Sequence, residues 1–221
     1  FLNSKKGISG LQLQREIGVT YKTAWRMLKQ IRSAMGNTDM TKAFEAMVEI
    51  DEAYIGGKPR KENNQIHGTA KRGKGTKKTP VIGVKERSTN RVYAKVTLPD
   101  ENGKNLTGKQ LFNVLDSVCK DNATVYTDDY HGYGFLDDEA RNPGKLIHIV
   151  VNHSAGQYSA GPGINTNGIE SFWAILKRGI LGIYHHVSVK YLQEYVNEFC
   201  FRQNNGTSSF DVLLQQGVFV A

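Results

Sequence analysis

The chain has 221 residues, 39% of them hydrophobic, enough to bury a core and to hold one medium domain plus a small one. Its 29 Lys and Arg against 21 Asp and Glu give a net charge of +8 and a pI near 9.4, which suits a polyanionic partner. Cys119 and Cys200 stand far apart and outside any CxxC pair, which excludes a disulfide framework and a thiolate zinc site, and no apolar run reaches membrane-spanning length or follows a signal-peptide pattern. A reducing, cytoplasmic setting with no membrane partner is expected. Because the chain opens at Phe1, it is expected to be a fragment or a processed form.

From Ser4 to Met35 the residues Ile8, Leu11, Leu13, Ile17, Val19, Ala24, Met27, Leu28 and Ile31 are spaced as helices that share a small apolar core. Gly18 splits the stretch and Thr20 is placed to cap the second helix, so residues 1–38 read as a helix-turn-helix. In that arrangement the second helix enters the major groove, and Tyr21, Lys22, Thr23 and Arg26 on its N-terminal half are candidate DNA contacts. The other reading is a plain helical hairpin packed on the main domain or on another subunit. The polar stretch Gly36 to Lys42 marks a boundary; residues 44–205 form the main domain and 206–221 a tail without a clear role.

Strands are expected at Met47 to Asp51, Val81 to Lys85 and Val92 to Leu98, forming an antiparallel meander. A basic loop, residues 58–79, interrupts the meander and supplies Lys71, Arg72, Lys74, Lys77 and Lys78 as candidate DNA contacts; a solvated insertion is the alternative. A helix from Thr107 to Cys119 carries Leu111, Val114, Leu115 and Val118 on one stripe. Strands at Thr124 to Thr127 and Leu146 to Val151 follow with a helix expected between them, then helices from Asn167 and from Val189 to Gln203. This order is that of an α/β, RNase H-like mixed five-stranded sheet flanked by helices, here preceded by the small helical domain.

Three acids stand in comparable settings. Asp51 ends an apolar strand that breaks at Gly56 and Gly57, Asp128 ends a β-branched run, and Glu170 lies in the first turn of an amphipathic helix. On that helix Lys177 falls about 20° and Ala174 about 40° from Glu170, while Ile169, Phe172, Ile175 and Leu176 lie opposite. Carboxylates gathered from separate elements repel one another unless a cation joins them, and oxygen ligands of this kind hold Mg²⁺ for phosphodiester chemistry. A surface helix with a solvated Glu170 and Lys177 is the competing reading.

The stretches Val48 to Gly57, Tyr126 to Tyr133 and Asn167 to Asn204 resemble the catalytic core of bacterial insertion-sequence transposases of the DDE type. The resemblance is to the group with an Ile-Asp-Glu-x-Tyr-Ile-Gly-Gly signature and an Asn-x-Ile-Glu-x-Phe-Trp-x-x-Leu-Lys-Arg-Gly helix, and it covers nearly the whole chain. It implies an RNase H-like fold, two Mg²⁺ or Mn²⁺ ions, and binding of double-stranded DNA at terminal inverted repeats and target. It also implies cleavage followed by strand transfer within a homodimer or higher multimer, in a nucleoid-associated setting. Asp51 and Asp128 match the first two metal-binding acids, Glu170 the third, and Lys177 the basic residue after it, with Arg178 beside it as a further DNA contact. Asp129 adjoins Asp128, but alternation along an extended segment and the Thr-Asp-x-x-x-x-Tyr pattern favour Asp128. Asn167 could share or take the third role, since some relatives use asparagine there, and Glu52 is expected to point away from Asp51. The family's usual zinc ribbon of paired cysteines has no counterpart in this sequence. His185 and His186 are possible contacts to DNA or to a metal-bound phosphate, with packing or capping as the alternative. Two other functions remain open: a catalytically silent DNA-binding derivative of a transposase, and an RNase H-like nuclease without strand transfer.

Overall fold

The computed structural model describes residues 1, 2, 4, 6–36, 40, 41, 43–56, 78–142, 145–151 and 166–215. The chain is α/β, with a mixed five-stranded sheet flanked by helices. Helices α1 (Gly10–Ile17) and α2 (Tyr21–Met35) precede strands β1 (Met47–Ile55), β2 (Thr79–Glu86) and β3 (Val92–Val96). Helix α3 (Gly108–Val118), strands β4 (Ala123–Thr127) and β5 (Leu146–Val150), and helices α4 (Asn167–Gly179), α5 (Val189–Asn205) and α6 (Ser209–Gln215) complete the order. The sheet runs β3-β2-β1-β4-β5; β1 is antiparallel to β2 and parallel to β4, which is parallel to β5.

Period-two alternation gives the sheet two apolar faces. Val48, Ile50, Ile82, Val84 and Val125 meet Leu111, Leu115 and Val118 of α3 on one side. Ala53, Ile55, Val81 and Ala94 meet Ile169, Phe172, Trp173 and Leu176 of α4 and Leu192, Val196 and Phe199 of α5 on the other. Each strand residue is thus assigned by parity to the α3 face or to the α4 face, and that assignment decides which acids can meet.

Several boundaries follow local chemistry. Gly18 ends α1 in the left-handed region (φ 71°), its N–H bonded to Gln14 O, and Thr20 accepts from Thr23 N at 3.2 Å to start α2. Thr107 and Gln110 form a reciprocal capping box at the start of α3.

Three expectations are corrected. Strand β1 continues four residues past Asp51, because β2 pairs with it as far as Ile55. The helix expected between β4 and β5 is only a 3₁₀ turn at His131–Tyr133. Gly132 and Gly134 disfavour helix there, and the Tyr130 ring occupies the space a side chain on Gly132 would need. The core expected of α1 and α2 is only partial: Ile8, Ala24 and Leu28 are buried, but Leu11, Ile17 and Met27 are exposed and α1 buries no residue. Instead α2 turns Ala24, Leu28, Arg32 and Met35 inward and packs against α5. Within residues 206–215, Leu213 of α6 packs with Met35 and Phe201.

Among the described residues, no helix is long and apolar enough to cross a membrane. Neither Cys119 nor Cys200 forms a disulfide.

Candidate active site

The last paired row between β1 and β4 joins Glu49 to Tyr126. Asp51 and Asp128 each lie two residues further along these adjacent parallel strands, so alternation puts both on the α4 face, one level beyond the final row. The position is the cleft that opens where two parallel strands part at their carboxyl ends. Asp51 still pairs with Gly83 of β2 on its other side. Its carboxyl is mostly desolvated; burial first, then the charges of Asp128 and Glu170, push it up to about 6. The three acids from three elements therefore share one electrostatic neighbourhood. Asp128 Oδ1 accepts from Tyr130 N at 3.1 Å and is half-buried, whereas Asp129 is exposed.

Helix α4 presents its polar stripe as the wheel predicts: Glu170, Ala174 and Lys177 are exposed while Ile169, Phe172, Trp173 and Leu176 are buried. Trp173 donates from Nε1 to Asp51 Oδ2 at 3.1 Å. It reaches across β2 over Gly83, where a Cβ would fall 2.5 Å from Trp173 Cζ2. Sequence reasoning left this tryptophan unassigned; at about 60° from Glu170 on the wheel it stands at the edge of the polar stripe, and its indole N–H needs a partner when buried.

Glu52 points to the other face, away from Asp51 as expected, yet it is not a bystander. Burial and then the charge of Asp51 push it up to about 8, and Asp128 adds to the effect. The fully buried Tyr133 hydroxyl lies near enough to feel Glu52, but neither Glu52 Oε1 nor Tyr133 Oη completes a hydrogen bond. A second carboxyl held toward its neutral form thus lies immediately behind the first.

The donor chemistry, carboxylates alone, fits hard divalent cations. Among the described residues, however, no three His, Cys, Asp or Glu side chains approach closely enough to enclose one ion. The acids feel one another without forming a closed cage.

The remaining sequence-predicted residues are dispersed. Asn167 is exposed at the first position of α4. Arg178 lines a separate cavity of about 750 Å³ with Lys6, Phe172 and Arg202, whose lining includes none of the three acids. His185 sits at positive φ (58°) with its ring against Leu181 O, and His186 is exposed next to it. Tyr21, Lys22, Thr23 and Arg26 are all exposed on α2. Lys78 packs beside Gly56 at the foot of β2, while Lys71, Arg72, Lys74 and Lys77 lie outside the described residues.

An uncharacterized protein in transposable element ISH50 of Halobacterium salinarum is 30% identical over 200 residues, covering 87% of this chain; the chain spans 63% of that relative's length. Among solved structures, a chain of a pre-cleavage Mos1 transpososome aligns over 98% of this chain and 76% of that one, at 12% identity and a TM-score of 0.34. A Drosophila P element transposase strand transfer complex aligns over 92% and 54%, at 11% identity and a TM-score of 0.28. Likenesses at that level add no argument about function. The model of the ISXO2-like transposase domain matches residues 44–204, from just before β1 to the end of α5, and by that match the chain belongs to the ISXO2-like transposase family.

Proposed function

We propose that this chain carries the chemistry of a DDE transposase, cleaving DNA at the ends of its element and joining the freed 3′ ends to target DNA. The observation that supports it most directly is the shared field of Asp51, Asp128 and Glu170 at the parting of β1 and β4. Two Mg²⁺ or Mn²⁺ ions, when bound, would supply an activated oxygen nucleophile and a stabilised leaving oxygen in both steps. Asp51, Asp128 and Glu170 would hold them, since a cation removes the mutual repulsion that raises Asp51. Trp173 fixes Asp51 Oδ2 and so orients the carboxylate before any ion arrives. Lys177, exposed two turns along from Glu170 on the same stripe, contacts a substrate phosphate as a point charge.

DNA reaches this site along a basic surface in this reading. The exposed Tyr21, Lys22, Thr23 and Arg26 read the terminal repeat, and the basic segment after β1, with Lys78 at its base, neutralises backbone charge. Assembly as a dimer or larger multimer on paired ends is part of the same proposal.

The test is Mg²⁺-dependent reaction of a labelled duplex that carries the element's terminal repeat, with wild type beside Asp51→Ala, Asp128→Ala and Glu170→Ala. Cleavage and strand-transfer products that vanish in all three variants support the reading. Hydrolysis without joined product makes the protein a nuclease, and repeat binding with no chemistry makes it a DNA-binding derivative.

A further inference from the structure

We propose that Glu49 is a positioning residue for the third acid, closing the N-terminus of α4 from the neighbouring strand and so setting where Glu170 stands relative to Asp51. The proposal rests on the metal-site reading given above and adds a residue to which no role has been attached.

Glu49 lies two residues before Asp51, so alternation puts it on the same α4-facing side of β1, where it is 4% exposed. A buried carboxylate inside an apolar strand requires partners, and both of its oxygens have one. Oε2 accepts from the backbone N–H of Ile169 at 2.9 Å and Oε1 from Arg87 Nε at 2.9 Å. Ile169 is the third residue of α4, whose N-terminal amides otherwise lack intrahelical partners; the residue before the helix, Thr166, makes no side-chain cap. Glu49 thus does from 120 residues away what a local Ser or Asp does at most helices, and its negative charge sits at the positive end of the helix dipole.

The neighbourhood holds this contact in one geometry. Arg87 stacks 3.7 Å over the ring of Tyr126, the β4 residue paired with Glu49, so the guanidinium is clamped on its own side. Lys85, opposite Glu49 on β2, donates from Nζ to Gly168 O at 3.3 Å and fixes the residue before Ile169. At Gly168 itself a Cβ would fall 2.8 Å from Glu49 Oε2, so glycine is what lets the carboxylate reach the helix. Four residues along from Ile169, Trp173 is bonded to Asp51. Strand β1 therefore grips α4 at 169 and at 173, and Glu170 projects from between the two grips. Sliding or rotating α4 to move Glu170 away from Asp51 would break both.

The test uses the full chain and Mn²⁺ alone, with binding measured by calorimetry and amide exchange measured over the first turn of α4. Glu49→Ala is expected to raise the Mn²⁺ dissociation constant at least about tenfold, the scale of lost outer-shell support, and to speed exchange at Ile169 and Glu170. Glu49→Gln keeps an acceptor for the Ile169 N–H but turns its amide nitrogen toward Arg87, so it is expected to bind Mn²⁺ more tightly than Glu49→Ala and more weakly than wild type. Val84→Ala, a core truncation on the α3 face, is expected to lower the melting temperature while leaving Mn²⁺ affinity unchanged. If Val84→Ala weakens Mn²⁺ binding as much as Glu49→Ala, or if Glu49→Ala binds like wild type, the positioning role is overturned. Should Glu49→Ala not fold, Gly168→Ala displaces the carboxylate from the helix side, and wild-type affinity in that variant overturns the proposal equally. Asp51→Asn separates the two readings. Wild-type binding that Asp51→Asn abolishes but Glu49→Ala spares sinks only the positioning role, whereas wild type that binds no Mn²⁺ overturns the metal site and this proposal with it.

Discussion

At Gly83 the missing side chain is what lets an indole lie flat across β2 and reach Asp51, since a methyl group there would overlap Trp173 by about an ångström. Gly83→Ala should cost about 1–3 kcal/mol in denaturant unfolding and lower the melting temperature, as overpacked cores do. The buried carboxyls make a second prediction, for the metal-free protein in EDTA. Asp51 and Glu52 are held above their unfolded values, so the folded state gains stability from them that is full below about pH 4 and is lost as pH rises through about 6 and then about 8. Glu52→Gln should therefore resemble wild type at about pH 4 and exceed it by a few kcal/mol near pH 8.5; equal stability at both ends would show that Glu52 is not held neutral. Lys177→Gln should weaken DNA binding across sequences and reduce the slope of log affinity against log salt by about one contact, read by titration at several salt concentrations. At this scale the sequence carried much of the site. Strict alternation along β1 was enough to turn Glu52 to the face opposite Asp51. The same alternation applied to Glu49 would have placed it beside Asp51, but nothing in the sequence tells which helix N-terminus a buried carboxylate will meet. The Trp173 bond was hidden for a related reason, because it depends on an empty space in a different strand.

Helix α2 is tied to α5 by charge as much as by apolar packing. Arg32 donates to Glu198 Oε2 at 2.7 Å, Arg202 holds Oε1 at 2.9 Å, and the Tyr184 hydroxyl donates to the same carboxylate. Arg32 also lies 4.1 Å from the centre of the Tyr195 ring. Glu198 is fully buried, so its removal strands two guanidinium groups. Glu198→Ala should cost about 3–5 kcal/mol in thermal or denaturant unfolding, and a loss under 1 kcal/mol would show that the cluster is not a structural tie. Element types were legible where period and caps agreed, as at α2, α3 and α4. They were less legible where tertiary partners decided: α1 shows an amphipathic spacing but buries no residue, while α2 packs on both α1 and α5. The glycines at 132 and 134 were visible signals against a helix between β4 and β5, outweighed by the expected alternation of strands and helices.

For the whole molecule, the sheet order β3-β2-β1-β4-β5 puts antiparallel neighbours on one side of β1 and parallel ones on the other. That arrangement leaves β1 and β4 adjacent, pointing the same way, and places their acids side by side at the open end, with α4 closing the third side. The motifs around Asp51, Asp128 and Glu170 pointed to the fold, because residues proposed to converge constrain the topology that brings them together. What spacing could not supply is distance, and the acids share a field without forming a closed cage. The account's central claim is that these three acids work as one unit. The most direct test is the rate of Mg²⁺-dependent cleavage of a labelled terminal-repeat duplex by Asp51→Asn, Asp128→Asn, Glu170→Gln and the triple variant. Loss of an ion-holding group removes several kcal/mol of transition-state stabilisation, so each single variant should fall at least about a hundredfold, to the same background as the triple. A single variant that keeps the wild-type rate, or losses that multiply from single to triple, would contradict it.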